Sequence, residues 1–431
     1  MKISIEELKK AGEYYRRQAE AIRNVSSSIN IVEMVTPMNL QLIKKDWIAK
    51  AKKGDFSSDP TLTYNVDNLK KIAAKRPLLN EVEKMLHDVR PKADQKALYL
   101  VWSNLAKTLN NAYEAVYLAE AILEDYSPAA KQAVENIYGA PSERIIKLAR
   151  EIANDNKMRG YLDYSCKRES KIDLGPNSQN DSYKVDARVI KDVFEYAMSQ
   201  ISNNPWPVII SEDCSSIDVR DKSSLGHPAV FIPKDRHVTI AKLIQLTQHE
   251  ILCHFRSSQA ASEIGFIKSD DELFYEGLAA YMDREFDKNQ LGYYNLNFVY
   301  YIIAIDEAKN GKSFSEVAKI IYDLLPTNTK NKASKAWTYT YRVFRGATDT
   351  KNPIGYAFTK DRAYFEGYLL AEELYEKGEE DFLIFSTLDE GTFNYLIHEV
   401  DPSSIKKFKN ELSACTLSDK EILANAAKFA A

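Results

Sequence analysis

The amino-acid sequence predicts an α+β fold that is mostly α-helical, with one small β-sheet. Through about the first 160 residues, apolar side chains recur every three or four positions, as at Ile5, Leu8, Ala11 and Tyr15, which is typical of helices with one buried face. Three short β-like segments follow at residues 207–210, 217–219 and 229–232, separated by Gly, Ser, Asp and Pro. Helical spacing then resumes at Val238 and continues almost to the end of the chain.

A run of turn-forming residues divides the chain into two predicted regions. Residues 173–182 are rich in Gly, Pro, Asn, Asp and Ser, a composition typical of a surface loop or linker. We therefore expect a helical N-terminal region over residues 1–172 and a second region over residues 183–431. The second region opens with an amphipathic helix at residues 185–201 and contains the three strands.

Composition restricts the class of protein. The 431 residues include 58 basic and 62 acidic side chains, a net charge of −4 that argues against a nucleic-acid partner. The longest apolar run, residues 298–305, is too short to cross a bilayer, which takes roughly 20 residues. The first residues are charged and lack the apolar segment of a signal peptide, and the four cysteines are scattered. We expect a cytoplasmic protein with no membrane partner.

Four of the six histidines fall within residues 227–254, and two of them form a motif, His-Glu-x-x-x-His, at His249, Glu250 and His254. Many zinc proteases use His-Glu-x-x-His, in which histidines four apart share a helix face and the glutamate activates a metal-bound water. A spacing of five rotates the second ring by about 140° on a regular α-helix. Both histidines can bind one metal only if the helix widens, as in a π-bulge, or unwinds.

Two alternatives to this ligand pair remain open at the level of the motif. Cys253 lies four residues after His249, so these two side chains could bind zinc on an undistorted helix. A thiolate would, however, make the zinc a weaker Lewis acid for peptide cleavage. The second alternative is a helix with two hydrogen-bonded histidines and no metal.

A third ligand is predicted on the following helix. Ser269 and Glu272 have the spacing of a capping box, which predicts a helix start. Glu276 lies further along, and the small residues after it, beginning with Gly277, should let this helix pack closely against the histidine helix. A surface glutamate on an amphipathic helix is an equally good interpretation of the spacing alone.

Taken together, these motifs resemble the microtubule-associated tyrosine carboxypeptidase family, which includes bacterial proteins with a Gln-Glu-Gly-Leu-Ala motif. The resemblance covers residues 60–367, and its most discriminating part is the six-residue histidine motif paired with Glu-Gly-Leu-Ala at residues 276–279. The other matching segments are Pro-x-x-x-Tyr at residues 60–64, Arg-Gly-Ala-Thr-Asp at residues 345–349, and Thr-Lys-Asp-x-x-Tyr-x-x-Gly at residues 359–367.

The resemblance implies a zincin-like catalytic domain in the second region, with one Zn²⁺ bound by His249, His254 and Glu276 and with Glu250 as the base. It favours His254 over Cys253 as a ligand. Three departures from the family pattern leave substrate preference open: Tyr275 stands where the bacterial motif has Gln, Cys253 stands where a small or hydroxyl residue is expected, and Phe255-Arg256 stands where Leu-Arg is expected.

The substrate side of the site is predicted less sharply. A carboxypeptidase needs Arg or Lys for the terminal carboxylate, and we expect Arg342 and Arg345, on one face of a helix over residues 337–345, and Lys360 to serve this purpose. Solvated basic residues are an equally good interpretation of each one. By resemblance Tyr364 is the expected oxyanion donor. Residues 229–232 are expected to form an edge strand that could hold the substrate backbone.

The sequence therefore predicts a zinc metallocarboxypeptidase that removes a C-terminal residue, tyrosine or another aromatic, from a protein or peptide. Tubulin enters as a substrate through the resemblance alone. The alternatives are a zinc endopeptidase or aminopeptidase with the same metal site, and a non-catalytic zinc-binding adaptor protein. The identity of the substrate and the oligomeric state are not encoded in any motif of the sequence.

Overall fold

A computed structural model of the chain describes residues 2–92, 94–154, 184–214, 216–220, 227–286, 297–327, 329–413, 415 and 417–430. The fold class is α+β and mostly α, as predicted. The predicted loop at residues 173–182 and Cys166 lie outside the described residues. No helix among those described is long and apolar enough to cross a membrane.

The helices of the N-terminal part are α1 (Ile5–Tyr14), α2 (Arg16–Ser26), α3 (Ile31–Met34), α4 (Leu40–Ala51), α5 (Val66–Ala73), α6 (Arg76–His87), α7 (Lys96–Leu123), α8 (Ser127–Tyr138) and α9 (Glu143–Asn154). Several begin at polar capping residues. Ser4 and Glu7 form a reciprocal capping box at the start of α1, and Asn65 caps α5. Helix α7 is the longest of those described and packs against α5, α6 and α8.

Helix α10 (Ala187–Ile201) precedes the strands β1 (Val208–Ser211), β2 (Asp218–Arg220) and β3 (Ala229–Pro233). These strands confirm the three predicted β-segments. Their order in the sheet is β1-β3-β2, with β1 parallel and β2 antiparallel to β3. The prediction that residues 229–232 form an edge strand is therefore wrong, because β3 is paired along both of its edges. Of the strands in the described part of the chain, β2 is the edge strand that contacts the histidine segment.

The remaining elements are α11 (Ile240–Leu246), a π-helix π1 (Thr247–Phe255), α12 (Arg256–Ile264), α13 (Leu273–Phe286), α14 (Val299–Lys309), α15 (Phe314–Leu324), α16 (Lys332–Val343), a 3₁₀ turn (Thr359–Asp361), a second π-helix π2 (Ala363–Gly367), α17 (Tyr368–Lys377), a 3₁₀ segment (Glu380–Phe385), α18 (Glu390–Glu399), α19 (Pro402–Leu412) and α20 (Asp419–Ala430).

Two hydrophobic cores meet at π1. The main core takes residues from Ile3 to Phe408, so it contains side chains from both predicted regions. The second core lies between α10, the sheet, α11 and α20. Within π1, Ile251, Leu252 and Phe255 belong to the second core, whereas Cys253 belongs to the main one. The boundary between residues 172 and 183 stays a prediction.

A contact between two glycines joins α13 to π2. A β-carbon on Gly277 would overlap the backbone of Gly367, and one on Gly367 would overlap the carbonyl oxygen of Leu273. The two backbones therefore touch without intervening side chains. Helix α13 does pack against π1, as the sequence predicts, but Gly277 itself contacts π2.

We expect Gly277→Ala to destabilise the protein by about 1–3 kcal/mol, because overpacking forces backbone shifts that cost this much. Urea unfolding measures the change. Gly391→Ala is the matched control, since Gly391 also lies in a helix and its added β-carbon would meet only Asp389 Oδ1, at 3.3 Å. Equal stability of the two variants would contradict the contact.

The start of α13 differs from the predicted capping box. The helix begins at Leu273, whose backbone N–H donates to Asp271 Oδ1 at 3.2 Å, so Asp271 takes the capping role predicted for Ser269. The Glu272 backbone has φ +51°, a left-handed conformation that is unfavourable for a residue other than glycine. Its carboxylate turns toward Lys268 and Lys360 instead of the backbone.

Asp271 also makes stability depend on pH. Burial, and then the neighbouring Asp389 carboxylate, raise the pKa of Asp271 from 3.8 to about 7. The folded protein therefore retains a proton that the unfolded chain loses near pH 4, so the free energy of unfolding falls as pH rises from about 4 to about 7. We expect Asp271→Asn to weaken this fall, as measured by urea unfolding at pH 5 and pH 8.

Asp401→Asn serves as the control for that measurement. Asp401 caps α19, and its hydrogen bonds to Ser403 lower its pKa, so it is ionised at both pH values. If Asp271→Asn and Asp401→Asn lose stability equally between pH 5 and pH 8, the assignment of the proton to Asp271 is wrong.

Candidate metal centre and active site

The histidine motif lies on a π-helix. Residues Thr247–Phe255 continue directly from α11 and lead into α12. A π-helix forms i→i+5 hydrogen bonds, so residues five apart lie one above the other. His249 and His254 consequently share a face, with their ring centroids 4.7 Å apart. The helix widens as the spacing of the histidines requires, over nine residues and not over a single turn.

Glu276 on α13 completes a group of three ligand atoms. The Nε2 atoms of His249 and His254 each lie 3.9 Å from Glu276 Oε2, and all three ligand atoms lie within 4.8 Å of one another. No other group of three His, Cys, Asp or Glu residues is as close in the described part of the chain. Cys253 is not a member of this group and is buried in the main core.

The donor set fits a zinc ion. Two imidazoles and one carboxylate are the ligands of several catalytic zinc sites, where three protein ligands leave one position open. Ligands at about 2.1 Å from a tetrahedral ion are roughly 3.4 Å apart, close to the observed 3.9 Å. The three side chains are also largely buried, with exposed fractions of 21% for His249, 6% for His254 and 16% for Glu276.

A carboxylate behind His249 sets its orientation. His249 Nδ1 lies 3.2 Å from Asp283 Oδ2, the arrangement in which a carboxylate fixes the tautomer of a metal-binding histidine. Burial alone would lower the pKa of His249, but the Asp283 carboxylate outweighs it and the pKa rises to about 9. Because only neutral imidazole binds a metal, metal binding at His249 has to release a proton.

The surroundings of His254 are different. Burial, and then the charge of His249, hold the pKa of His254 well below its usual range, so this ring is neutral. Its face stacks on Tyr275, with ring centroids 3.8 Å apart and an interplanar angle of 13°. Tyr275, the residue that departs from the family motif, therefore packs directly on a predicted ligand.

Glu250 lies between the two histidines in sequence and beside the cluster in space. Burial is the main influence on its carboxyl group and raises the pKa to about 7, with the charge of His249 acting in the opposite direction. A carboxyl group with a pKa near the working pH is well suited to accept a proton and return it.

Tyr364 lies next to this cluster, and Arg342 lies beside Tyr364. Tyr364 is on π2, its pKa is raised well above the usual range by burial and then by the charge of Glu276, and its ring stacks on Phe298. Arg342 lies 5.7 Å from the Tyr364 ring centroid. Its guanidinium already binds both carboxylate oxygens of Asp361, at 2.6 and 2.5 Å.

Arg345 and Lys360 are placed differently from Arg342. Helix α16 ends at Val343, so Arg345 lies beyond it and the predicted helix over residues 337–345 is too long. Arg345 Nε is 3.4 Å from the Tyr341 hydroxyl. Lys360 forms an ion pair with Glu272, one turn before Glu276. The structure thus distributes the three predicted basic residues over different partners.

The other segments of the family resemblance contact one another. The Tyr64 hydroxyl donates to the Ala347 carbonyl oxygen at 2.9 Å, and the Thr350 hydroxyl donates to that of Pro60 at 2.6 Å. The early segment therefore packs on the segment at residues 345–349, and neither of these contacts involves the predicted metal ligands.

Two residues of the site were not predicted from the sequence. Asp283 could have been found, because it lies seven residues after Glu276 and so two turns along the same helix face. Lys268 carries no motif signal. Its Nζ lies 3.8 Å from the Tyr275 ring centroid and 3.1 Å from Glu272 Oε1.

A helix with two histidines and a glutamate between them, completed by a carboxylate from the next helix, has the donor set of mononuclear metallohydrolases. The model of a family described as microtubule-associated tyrosine carboxypeptidase matches residues 51–385, and the chain belongs to this family. The family suggests a carboxypeptidase-type function.

Other comparisons add little. Three chains of solved structures match, among them one described as "BsuCP Crystal Structure", with 10% sequence identity and a TM-score of 0.32 over 96% of this chain and 98% of that chain. Such a TM-score supports no argument about fold or function. No curated protein matches.

The arrangement predicts which side chains a metal needs. We expect His254→Ala to lose metal binding and Cys253→Ala to retain it, because Cys253 lies outside the cluster. Zinc titration of the purified variants, followed by metal analysis, measures both. Loss of stoichiometric zinc in Cys253→Ala, with an unchanged melting temperature, would mean that the thiol is a ligand.

Proposed function

We propose that this chain is a zinc-dependent carboxypeptidase that removes a C-terminal residue, tyrosine or another aromatic, from a protein or peptide. The observation that carries the proposal is the convergence of His249, His254 and Glu276 across a π-helix, with Glu250 beside them, in a chain of this family. One Zn²⁺ is the proposed cofactor. A protein C-terminus is the proposed partner, and tubulin is suggested only by the family description.

The chemistry divides between the ion and the chain. When bound, Zn²⁺ lowers the pKa of a coordinated water and polarises the substrate carbonyl. Glu250 accepts the proton of the attacking water and returns it to the leaving amine, a role that suits its pKa of about 7. Asp283 holds the ring of His249 through Nδ1. Tyr364 is the proposed donor to the oxyanion because it lies beside Glu276.

Substitution of Glu250 tests this assignment. We expect Glu250→Gln to keep zinc, because it is not a ligand, and to lose hydrolysis by about 10²–10⁴-fold, the usual contribution of a general base. His249→Ala should lose both. Release of the C-terminal residue from a peptide library, profiled by mass spectrometry, measures hydrolysis and shows which residues are accepted.

Glu263→Gln is the matched control, since Glu263 is an exposed glutamate on α12, the helix that continues π1. It should behave as the wild type. Full activity of Glu250→Gln would show that Glu250 is not the general base. Cleavage inside peptides, with no dependence on a free C-terminus, would favour an endopeptidase instead.

A further inference from the structure

Two lysines converge on one glutamate beside the metal ligands. Lys268 Nζ lies 3.1 Å from Glu272 Oε1, and Lys360 Nζ bonds the other oxygen, Oε2. All three side chains are mostly buried, with exposed fractions of 25% for Lys268, 13% for Lys360 and 16% for Glu272. Glu272, which bonds both lysines, has a strained backbone conformation with φ +51°. Such strain persists only where the surrounding structure imposes it, often at functional sites.

Both lysines line an open cleft of about 610 Å³. The cleft is lined by the segment that follows α2, by the edge strand β2 and by the loop that precedes α13. The predicted metal ligands are not among the residues that line the cleft, and two contacts connect the cleft to them. The Lys268 ammonium lies over the Tyr275 ring, which stacks on His254, and the Glu276 backbone N–H donates to the Glu272 carbonyl oxygen at 2.9 Å.

The N–H donors at this point are incompletely used. One carboxylate, Glu272, serves two ammonium groups, and each ammonium has three N–H donors. Asp270 lines the same cleft but forms no ion pair with either lysine among the described residues. The charges of both lysines also act on Glu276, which likewise forms no ion pair with them among the described residues, so the lysine pair has N–H donors available for a further carboxylate.

The other basic residues near the cluster are less suited to bind an incoming anion. Arg342 has two of its nitrogens on the Asp361 carboxylate, in the bidentate geometry that satisfies a guanidinium most fully. Arg345 bonds the Tyr341 hydroxyl, and no described hydrogen bond or ion pair joins Arg345 to a predicted metal ligand. The charges of Lys268 and Lys360, by contrast, act on both His254 and Glu276.

We propose that Lys268 and Lys360 form the site that binds the terminal carboxylate of the substrate, with Glu272 as the residue that positions them. The inference rests on the proposed function and refines it: the cleft accepts peptides with a free C-terminus, and Lys268 is a specificity-determining residue. Of the three basic residues expected from the sequence, Lys360 alone is assigned to this site.

Binding to an inactive enzyme tests the proposal. Zinc-loaded Glu250→Gln is titrated by calorimetry with an N-acetylated hexapeptide ending in tyrosine and with the same peptide as its C-terminal amide. We expect the free carboxylate to bind at least about tenfold more tightly than the amide, as the loss of a charge-assisted hydrogen bond implies. Adding Lys268→Met or Lys360→Met should remove most of this difference by weakening only the free-carboxylate peptide.

Lys309→Met in the same background is the matched control. Lys309 is a half-buried lysine that pairs with Glu135 away from the cleft, so its loss should leave both affinities unchanged. Melting temperature and zinc content check that every variant is folded and loaded. Lys268→Arg, which keeps the charge, should retain a preference for the free carboxylate.

The inference fails if Glu250→Gln binds the two peptides equally or binds neither, or if the preference survives in the Lys268→Met/Lys360→Met double variant. The proposed function is judged separately, by hydrolysis of the free-carboxylate peptide by the wild type. Cleavage by the wild type together with an undiminished preference in the double variant would refute the carboxylate site and leave the carboxypeptidase intact.

Discussion

The widened backbone of residues 247–255 is the constraint on which the site depends. In an α-helix the two histidines of His-Glu-x-x-x-His point about 140° apart, and no rotamer change brings both rings to one ion. The i→i+5 hydrogen bonds of π1 remove this difference and bring the His249 and His254 rings within 4.7 Å. π-Helices are rare and costly, so the surrounding packing has to support the conformation. The two hydrophobic cores provide that support, since π1 contributes Ile251, Leu252 and Phe255 to one and Cys253 to the other.

The second constraint is the distance between α13 and its neighbours. Glu276 reaches the histidines only because α13 lies close to π1. Helix α13 also contacts π2, where the backbones of Gly277 and Gly367 touch directly. The same contact brings π2, and with it Tyr364, to the side of Glu276. A similar close approach holds α1 against the end of α12, the helix that follows π1. A β-carbon on Gly12 of α1 would overlap the carbonyl of Ile264, where α12 ends. The N-terminal helices thus form part of the scaffold that holds the site.

The sequence predicted the parts of this structure that have a local cause. Periodicity identified the helices and the three strands, and the five-residue spacing of the histidines by itself requires a widened helix if both rings are to bind one ion. The order of the strands was not predictable, because residues 229–232 have the same composition whether they lie at the centre or at the edge of a sheet. The capping box at Ser269 failed because Glu272 is held by Lys268 and Lys360, and Lys360 lies 88 residues away in the chain. Contacts between residues so far apart in the chain cannot be predicted from the spacing of neighbouring residues.

Cys253 shows why the choice of ligand depends on the fold and not on the spacing alone. Four residues after His249 is the correct distance for a ligand on an α-helix, and five is correct on a π-helix, so the two registers select different side chains from the same sequence. In the π register the thiol turns into the main core, where burial raises its pKa well above the usual range and disfavours the thiolate that a metal needs. A return to the α register would withdraw this side chain from the core and also separate the two histidines. Burial of Cys253 and pairing of His249 with His254 therefore favour the same conformation, and each one supports the other.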